Sequence, residues 1–210
     1  MKQQRAARTR QALVRAAAQE FAQDGFVVAS LASISKKAGV SNGALHFHFE
    51  SKRALARAVE EEAVAVVREI VAPAGGGGSE PLQRLIDATR ALMARLDQDA
   101  VVRAGFQLGN GVPRRKDTVD LRGLWQSWVE EVLEEAERQG ALAVGVSAPD
   151  ATMAVVAATV GFEQLGVEDR MWMSEATLQR FWDLLLPRLA SAEALDGLLS
   201  SGAVAVSGRR

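Results

Sequence analysis

Residues 41–49 read Ser-Asn-Gly-Ala-Leu-His-Phe-His-Phe, and Glu50, Ser51, Lys52 and Arg53 follow at once. The stretch holds both histidines of the 210-residue chain. Three readings compete for it. On a helix, His46 and His48 would lie about 200° apart in azimuth, and the chain has no cysteine to help them, so neither a metal nor a cofactor is expected. Burial accounts for another part, because Ala44, Leu45 and Phe49 fall close to helical spacing on an inner face. That leaves Asn42, Gly43, His46 and Phe47 outward. A face of one small polar residue, a glycine and a histidine, flanked by Lys36, Lys37, Lys52 and Arg53, suits close approach to base edges while the lysines take phosphates. The stretch therefore reads as a DNA-recognition helix, opened by Ser41.

The flanking sequence agrees. Ser30 stands before residues 31–38, a short helix ended by Gly39, and Ser41 stands before the next one. A tight glycine-containing turn between two short capped helices is the helix-turn-helix layout. Upstream, residues 3–24 carry Ala6, Leu13, Ala17 and Phe21 with no glycine or proline before Gly25, which predicts one amphipathic helix. Downstream, Ser51 caps a long helix over 52–72 that ends at Pro73. The Gly-Gly-Gly-Gly-Ser run at 75–79 reads as a connector, since no strand precedes it and no Gly-Lys-Ser/Thr closes it. Segments 81–97, 100–109, 117–139, 149–166 and 174–190 keep apolar groups at three-to-four spacing, and no alternating strand is found. The expected class is all-α: a three-helix head with a larger helical body.

Charge divides the chain in the same way. Residues 1–53 hold nine Lys or Arg against three acids, while the remainder holds 16 against 23, although the net charge is only −1. A basic head on an acidic body fits a head that meets a polyanion. The opening residues lead into no apolar stretch of signal-peptide length, and the longest apolar run, 151–162, is too short to span a bilayer. A cytoplasmic protein with no membrane partner is expected. An enzyme is disfavoured, because both histidines sit in the head and the acids mostly ride solvated faces such as 130–140.

Residues 31–55 resemble the signature of the TetR family of bacterial transcriptional regulators, which runs roughly T-x-x-x-I-A-x-x-A-G-V-S-x-G-x-L-Y-x-H-F-x-x-K-x-x-L. Ile34, Ala38, Gly39, Val40, Ser41, Gly43, Leu45, His48, Phe49, Lys52 and Leu55 fall in place. Ser30 stands near the usual threonine, and His46 replaces the usual tyrosine, which implies a pH-sensitive phosphate contact. A second resemblance, carried by Arg103, Ala104, Gly105, Leu108, Gly111, Val112 and Pro113, is to the γ-butyrolactone autoregulator receptors of that family. It implies that Trp125, with Trp128 one turn along, closes over a small hydrophobic effector. Leu121, Leu124, Trp125, Trp128, Val132 and Ala136 equally form a core stripe. Phe106, Leu108, Val160 and Phe162 complete the expected pocket lining. Ala63 and Phe162 stand where relatives place a glutamine and a threonine, so two polar partners for a lactone are expected to be lost. This leaves open a pseudo-receptor answering to an antibiotic or intermediate, or a receptor for another autoregulator.

The resemblance implies a homodimeric repressor of operator DNA, released by its effector. Residues 1–50 would bind DNA, 51–197 would bind ligand and dimerise, and 198–210 would form a tail. Lys36, Lys37, Ser41, Asn42, Gly43, His46, Phe47 and Lys52 are the expected DNA contacts, with Lys52 taking a phosphate. Ala154, Ala158, Gly161, Phe181, Trp182 and Leu185 are the expected dimer contacts.

Overall fold

The head is started by serines. The computed structural model describes residues 2–72, 80–109 and 120–200, and in it α1 (Lys2–Val28) is broken at Gly25, where φ is +78°. Ser30 then begins α2 (Leu31–Lys37) with a reciprocal pair of hydrogen bonds to Ser33, each side chain accepting from the other's backbone N–H. Ser41 begins α3 (Asn42–His48) by accepting from the Ala44 N–H at 3.2 Å. Between them Gly39 takes φ +68°, which a side chain would strain, so the turn can be as tight as the helix-turn-helix requires. Ser51 accepts from Ala54 N–H at the start of α4 (Lys52–Val71). Each such cap contributes about 1 kcal/mol.

Five further α-helices follow among the described residues: α5 (Pro81–Gln98), α6 (Ala100–Leu108), α7 (Leu121–Arg138), α8 (Ala148–Leu165) and α9 (Glu175–Leu189), and then a sixth, α10 (Ala192–Ser200). A 3-10 turn, Arg170–Met173, separates α8 from α9. There is no strand among these residues, only one isolated bridge between Leu142 and Ala190. The expected tail is helical over 198–200, where Leu198 is buried, and otherwise lies outside the described residues. So do the connector at 75–79 and Gly111, Val112 and Pro113.

Two compact units result. The first is Met1–Glu69 with Gln98–Leu121, and the second is Ile70–Asp97 with Arg122–Arg210. In the first, α1 packs chiefly on α6 and also on α2 and α3, and Leu13, Val14, Phe21, Ile34, Leu45, Phe49, Leu55 and Val59 form its core. Here α4 and α6 approach so closely that a methyl group on Gly105 would lie 2.5 Å from Ala63 Cβ. In the second unit, Leu85, Leu92, Trp125, Leu133, Val155, Leu178, Trp182 and Leu186 are buried. Charged pairs tie its helices together: Arg84 with Glu135, Arg90 with Glu175, Arg122 with Glu163, and Arg170 with Asp97.

Candidate nucleic-acid interface

On α3 the inner and outer faces separate as the spacing of its residues requires. Leu45 is buried and Phe49, its C-cap, is 5 % exposed. Ser41, Asn42, Gly43 and His46 are exposed, and Phe47 is 82 % exposed. An aromatic ring left so open on a small head is available for apolar contact with a base methyl group. No atom crowds Gly43, whose hypothetical Cβ would find only Ser41 Oγ, at 3.9 Å. Asn42 is tied to the helix before it: Ser35 Oγ lies 2.6 Å from Asn42 Oδ1, which fixes the angle between α2 and α3. The Arg10 guanidinium sits 5.2 Å above the Phe49 ring, so the first helix reaches the end of α3.

Two expected phosphate contacts are placed differently. Lys36 is exposed, but Lys37 Nζ is 2.7 Å from Glu20 Oε1, pinning α2 to α1. Lys52 turns inward, to the carbonyls that follow the break in α1, a correction to its reading as a phosphate ligand. The Lys37 ammonium, with a hydrogen bond from Ser33, holds the Glu20 carboxyl below the usual glutamate range. Because the folded-state value is depressed, the stabilisation is complete above the ordinary glutamate pKa and is lost as pH falls through the depressed one. Glu20→Gln should therefore cost about 0.5–1 kcal/mol near pH 7 and nothing in strong acid, as read by urea unfolding at both. An equal loss at both pH values would mean that the charge pair is not the cause.

In the second unit, Trp125 on α7 is 2 % exposed and its indole N–H donates to Thr159 Oγ1 on α8 at 3.0 Å. The Thr159 hydroxyl in turn donates to the Val156 carbonyl at 3.1 Å. Trp128 is half-buried, its ring 5.2 Å from that of Trp125. One turn before Trp125 on α7, and one turn after Thr159 on α8, Arg122 and the buried Glu163 are joined through both carboxylate oxygens, at 2.6 and 2.8 Å. Phe162 belongs to a different group, stacked on Trp172 at 6.5 Å and edge-on to Phe181 at 5.4 Å. Val160 is half-buried. In the first unit, Phe106 is buried and Leu108 half-buried on α6.

Of the expected dimer contacts, Ala154 is exposed, and Ala158, Gly161, Phe181 and Leu185 are half-buried. Trp182 is 0 % exposed, so its ring is core within one protomer and offers no surface to a second: a correction. The large apolar side chains standing open on α8 and α9 are Met153, at 67 %, Leu165, at 47 %, and Leu184, at 80 %.

Residues 13–59, which run from within α1 to the first turns of α4, match the model for bacterial regulatory proteins, tetR family. Over those residues the chain resembles the TetR family. Over 209 residues it is 27 % identical to the A-factor receptor protein of Streptomyces griseus, covering 97 % of this chain and 71 % of that one. Among solved structures it is similar to a gamma-butyrolactone receptor (ArpA like protein), with a TM-score of 0.80 and 27 % identity, over 95 % of this chain and 96 % of that one. It is also similar to the TetR family protein CprB from Streptomyces coelicolor, solved in complex with its biological operator sequence, with a TM-score of 0.81 and 26 % identity, over 95 % and 96 % of the two chains.

Several features of this chain escape inspection of the sequence. A threonine does face the α7 tryptophan, Thr159, three residues before Phe162, the position at which a threonine was expected to be missing. Only the pairing partner could reveal it, because Thr159 and Phe162 differ by less than one helical turn. The Arg122–Glu163 pair has a weak signal, an acid within an otherwise apolar run. The inward course of Lys52 has none that is local. Among the described residues no group of three His, Asp or Glu side chains could hold a metal ion, and no helix is long and apolar enough to cross a membrane.

Proposed function

We propose that this chain is a TetR-type homodimeric repressor that binds operator DNA and leaves it when a small hydrophobic effector of γ-butyrolactone type enters the body. The observation that carries the reading is the outer face of α3, where Ser41, Asn42, Gly43, His46 and Phe47 stand exposed above a buried Leu45. Residues 1–50 act as the DNA-binding domain and 51–197 as the effector-binding and dimerisation domain. Two heads would place α3 in successive major grooves about 34–36 Å apart. Dimerisation through α8 and α9 is supported by the open Met153 and Leu184 and by Ala154, Ala158 and Gly161, whose small size permits close approach of backbones. Trp125 and Trp128 form the effector wall, and a ligand oxygen would accept from the Trp125 N–H in place of Thr159 Oγ1, or from the Thr159 hydroxyl in place of the Val156 carbonyl. An effector acts only through its difference in affinity between the two states, and moving the population from 1:99 to 99:1 needs about 5.5 kcal/mol of that difference.

The test uses a duplex selected by the protein from a random pool. Log affinity should fall linearly with log salt, with a slope of about −0.9 per phosphate neutralised. Affinity indifferent to salt between roughly 50 and 200 mM would exclude phosphate-led binding. Adding a γ-butyrolactone should then release the duplex. Release only by an unrelated hydrophobic drug or antibiotic would reassign the effector and leave the repressor standing.

A further inference from the structure

Lys52 opens α4, directly after the loop that follows α3, in the most basic part of the chain. Its ammonium nevertheless points into the protein. Nζ lies 2.7 Å from the Phe26 carbonyl oxygen, 3.2 Å from that of Val27 and 2.7 Å from that of Ala29. An ammonium has three donors, and here three carbonyls converge on it. The Phe26 ring covers the same charge, 4.7 Å from Nζ to the ring centroid, an attraction that strengthens where water is excluded. The Phe26 and Val27 carbonyls belong to the last residues of α1, beyond the break at Gly25, and Ala29 stands between α1 and Ser30, the residue that caps α2.

We propose that Lys52 is a positioning residue of the head, which ties the α1–α2 junction to the first turn of α4 and so holds in place the helices that carry α3. The proposal rests on the DNA-binding reading above and assigns Lys52 no contact with DNA. A helix end leaves carbonyl oxygens without intrahelical partners, and a cation from another helix that gathers three of them joins the two helices at that point. Lysine suits this task because its ammonium is a compact charge with rotatable donors, whereas a planar guanidinium cannot direct its N–H groups to three oxygens around one point. The contact also fixes where α2 begins, since the peptide after Ala29 leads straight into the Ser30 cap.

Two measurements on the full chain separate this role from a phosphate contact. In Lys52→Met, amide exchange at Ala29 and at Ile34, whose N–H groups donate to the carbonyls of Gly25 and Ser30, should quicken about tenfold or more, with no DNA present. Affinity for the selected duplex should fall about tenfold, while the slope of log affinity against log salt keeps its wild-type value. Lys52→Arg, which keeps the charge, should behave like Lys52→Met. Phe26→Leu carries no charge change at all and should show the same quickened exchange, more weakly, at an unchanged slope; it serves as the second variant should Lys52→Met fail to fold. A slope reduced by about 0.9 in Lys52→Met, with affinity restored by arginine, would make Lys52 a phosphate contact and overturn the proposal. Wild-type exchange rates in either variant would overturn it too. A wild-type protein that binds no duplex defeats the DNA-binding reading instead, and the exchange measurement still decides whether Lys52 holds the junction.

Discussion

Replacing Trp125 by alanine should lower the stability of the chain by about 3–5 kcal/mol, the range for deleting a large buried aromatic. For a protein of this size that corresponds to a melting temperature roughly 6–20 °C lower. The ring is 2 % exposed, packs 5.2 Å from Trp128, and donates its N–H to Thr159 across the α7–α8 contact, so its loss opens a cavity and frees a polar group at once. Trp125→Phe separates the two effects. It retains most of the ring and deletes the N–H, and because the Thr159 hydroxyl still donates to Val156, the cost should be about 1–2 kcal/mol. If Trp125 also forms the effector wall, alanine at this position should leave a folded protein, assayed below its melting temperature, that holds the duplex but is not released. Release at wild-type effector concentrations would move the wall to Trp128.

Gly105→Ala should be the next most damaging change. The added methyl would lie 2.5 Å from Ala63 Cβ and 2.9 Å from Leu121 Cδ1. Leucine can swing its methyl aside, but the Ala63 Cβ is fixed to the α4 backbone, so α4 and α6 must separate. Overpacking of this kind costs about 1–3 kcal/mol. Ala63→Gly in the Gly105→Ala background should recover part of the loss, less the roughly 1 kcal/mol that glycine costs in a helix interior. Chemical denaturation of the four proteins in this cycle checks it; a double variant no better than Gly105→Ala alone would place the clash elsewhere.

What could be read from the chain was whatever neighbours in sequence decide. Ser30, Ser41 and Ser51 cap the helices that follow them, Gly39 sits in the turn, and Leu45 and Phe49 face inward, all within one or two turns of the residues concerned. Contacts made across long separations were not legible. Lys52 meets carbonyls more than twenty residues away, and nothing in Glu50-Ser51-Lys52-Arg53 distinguishes the inward lysine from the exposed Arg53. Phase within an apolar helix was the other failure. Residues 151–162 are apolar around most of the circumference of α8, so their pattern could not decide whether Thr159 or Phe162 faces Trp125. On α9, Phe181 and Trp182 are adjacent and equally aromatic, and only packing sent Trp182 to the core.

The lack of lysine and arginine on α3 has an evolutionary consequence. Its seven residues, Asn-Gly-Ala-Leu-His-Phe-His, include no lysine or arginine, whereas α1 exposes Arg5, Arg8, Arg10 and Arg15. In a DNA-binding head built this way, attraction to the polyanion and choice of sequence are inherited from different helices. A substitution at the open Phe47 can then redirect the protein to a new site without first weakening its general hold on DNA, and without touching the buried Leu45 that keeps the helix in place. Operator preference is thus free to diverge between descendants of one gene while the fold and its charge stay as they were.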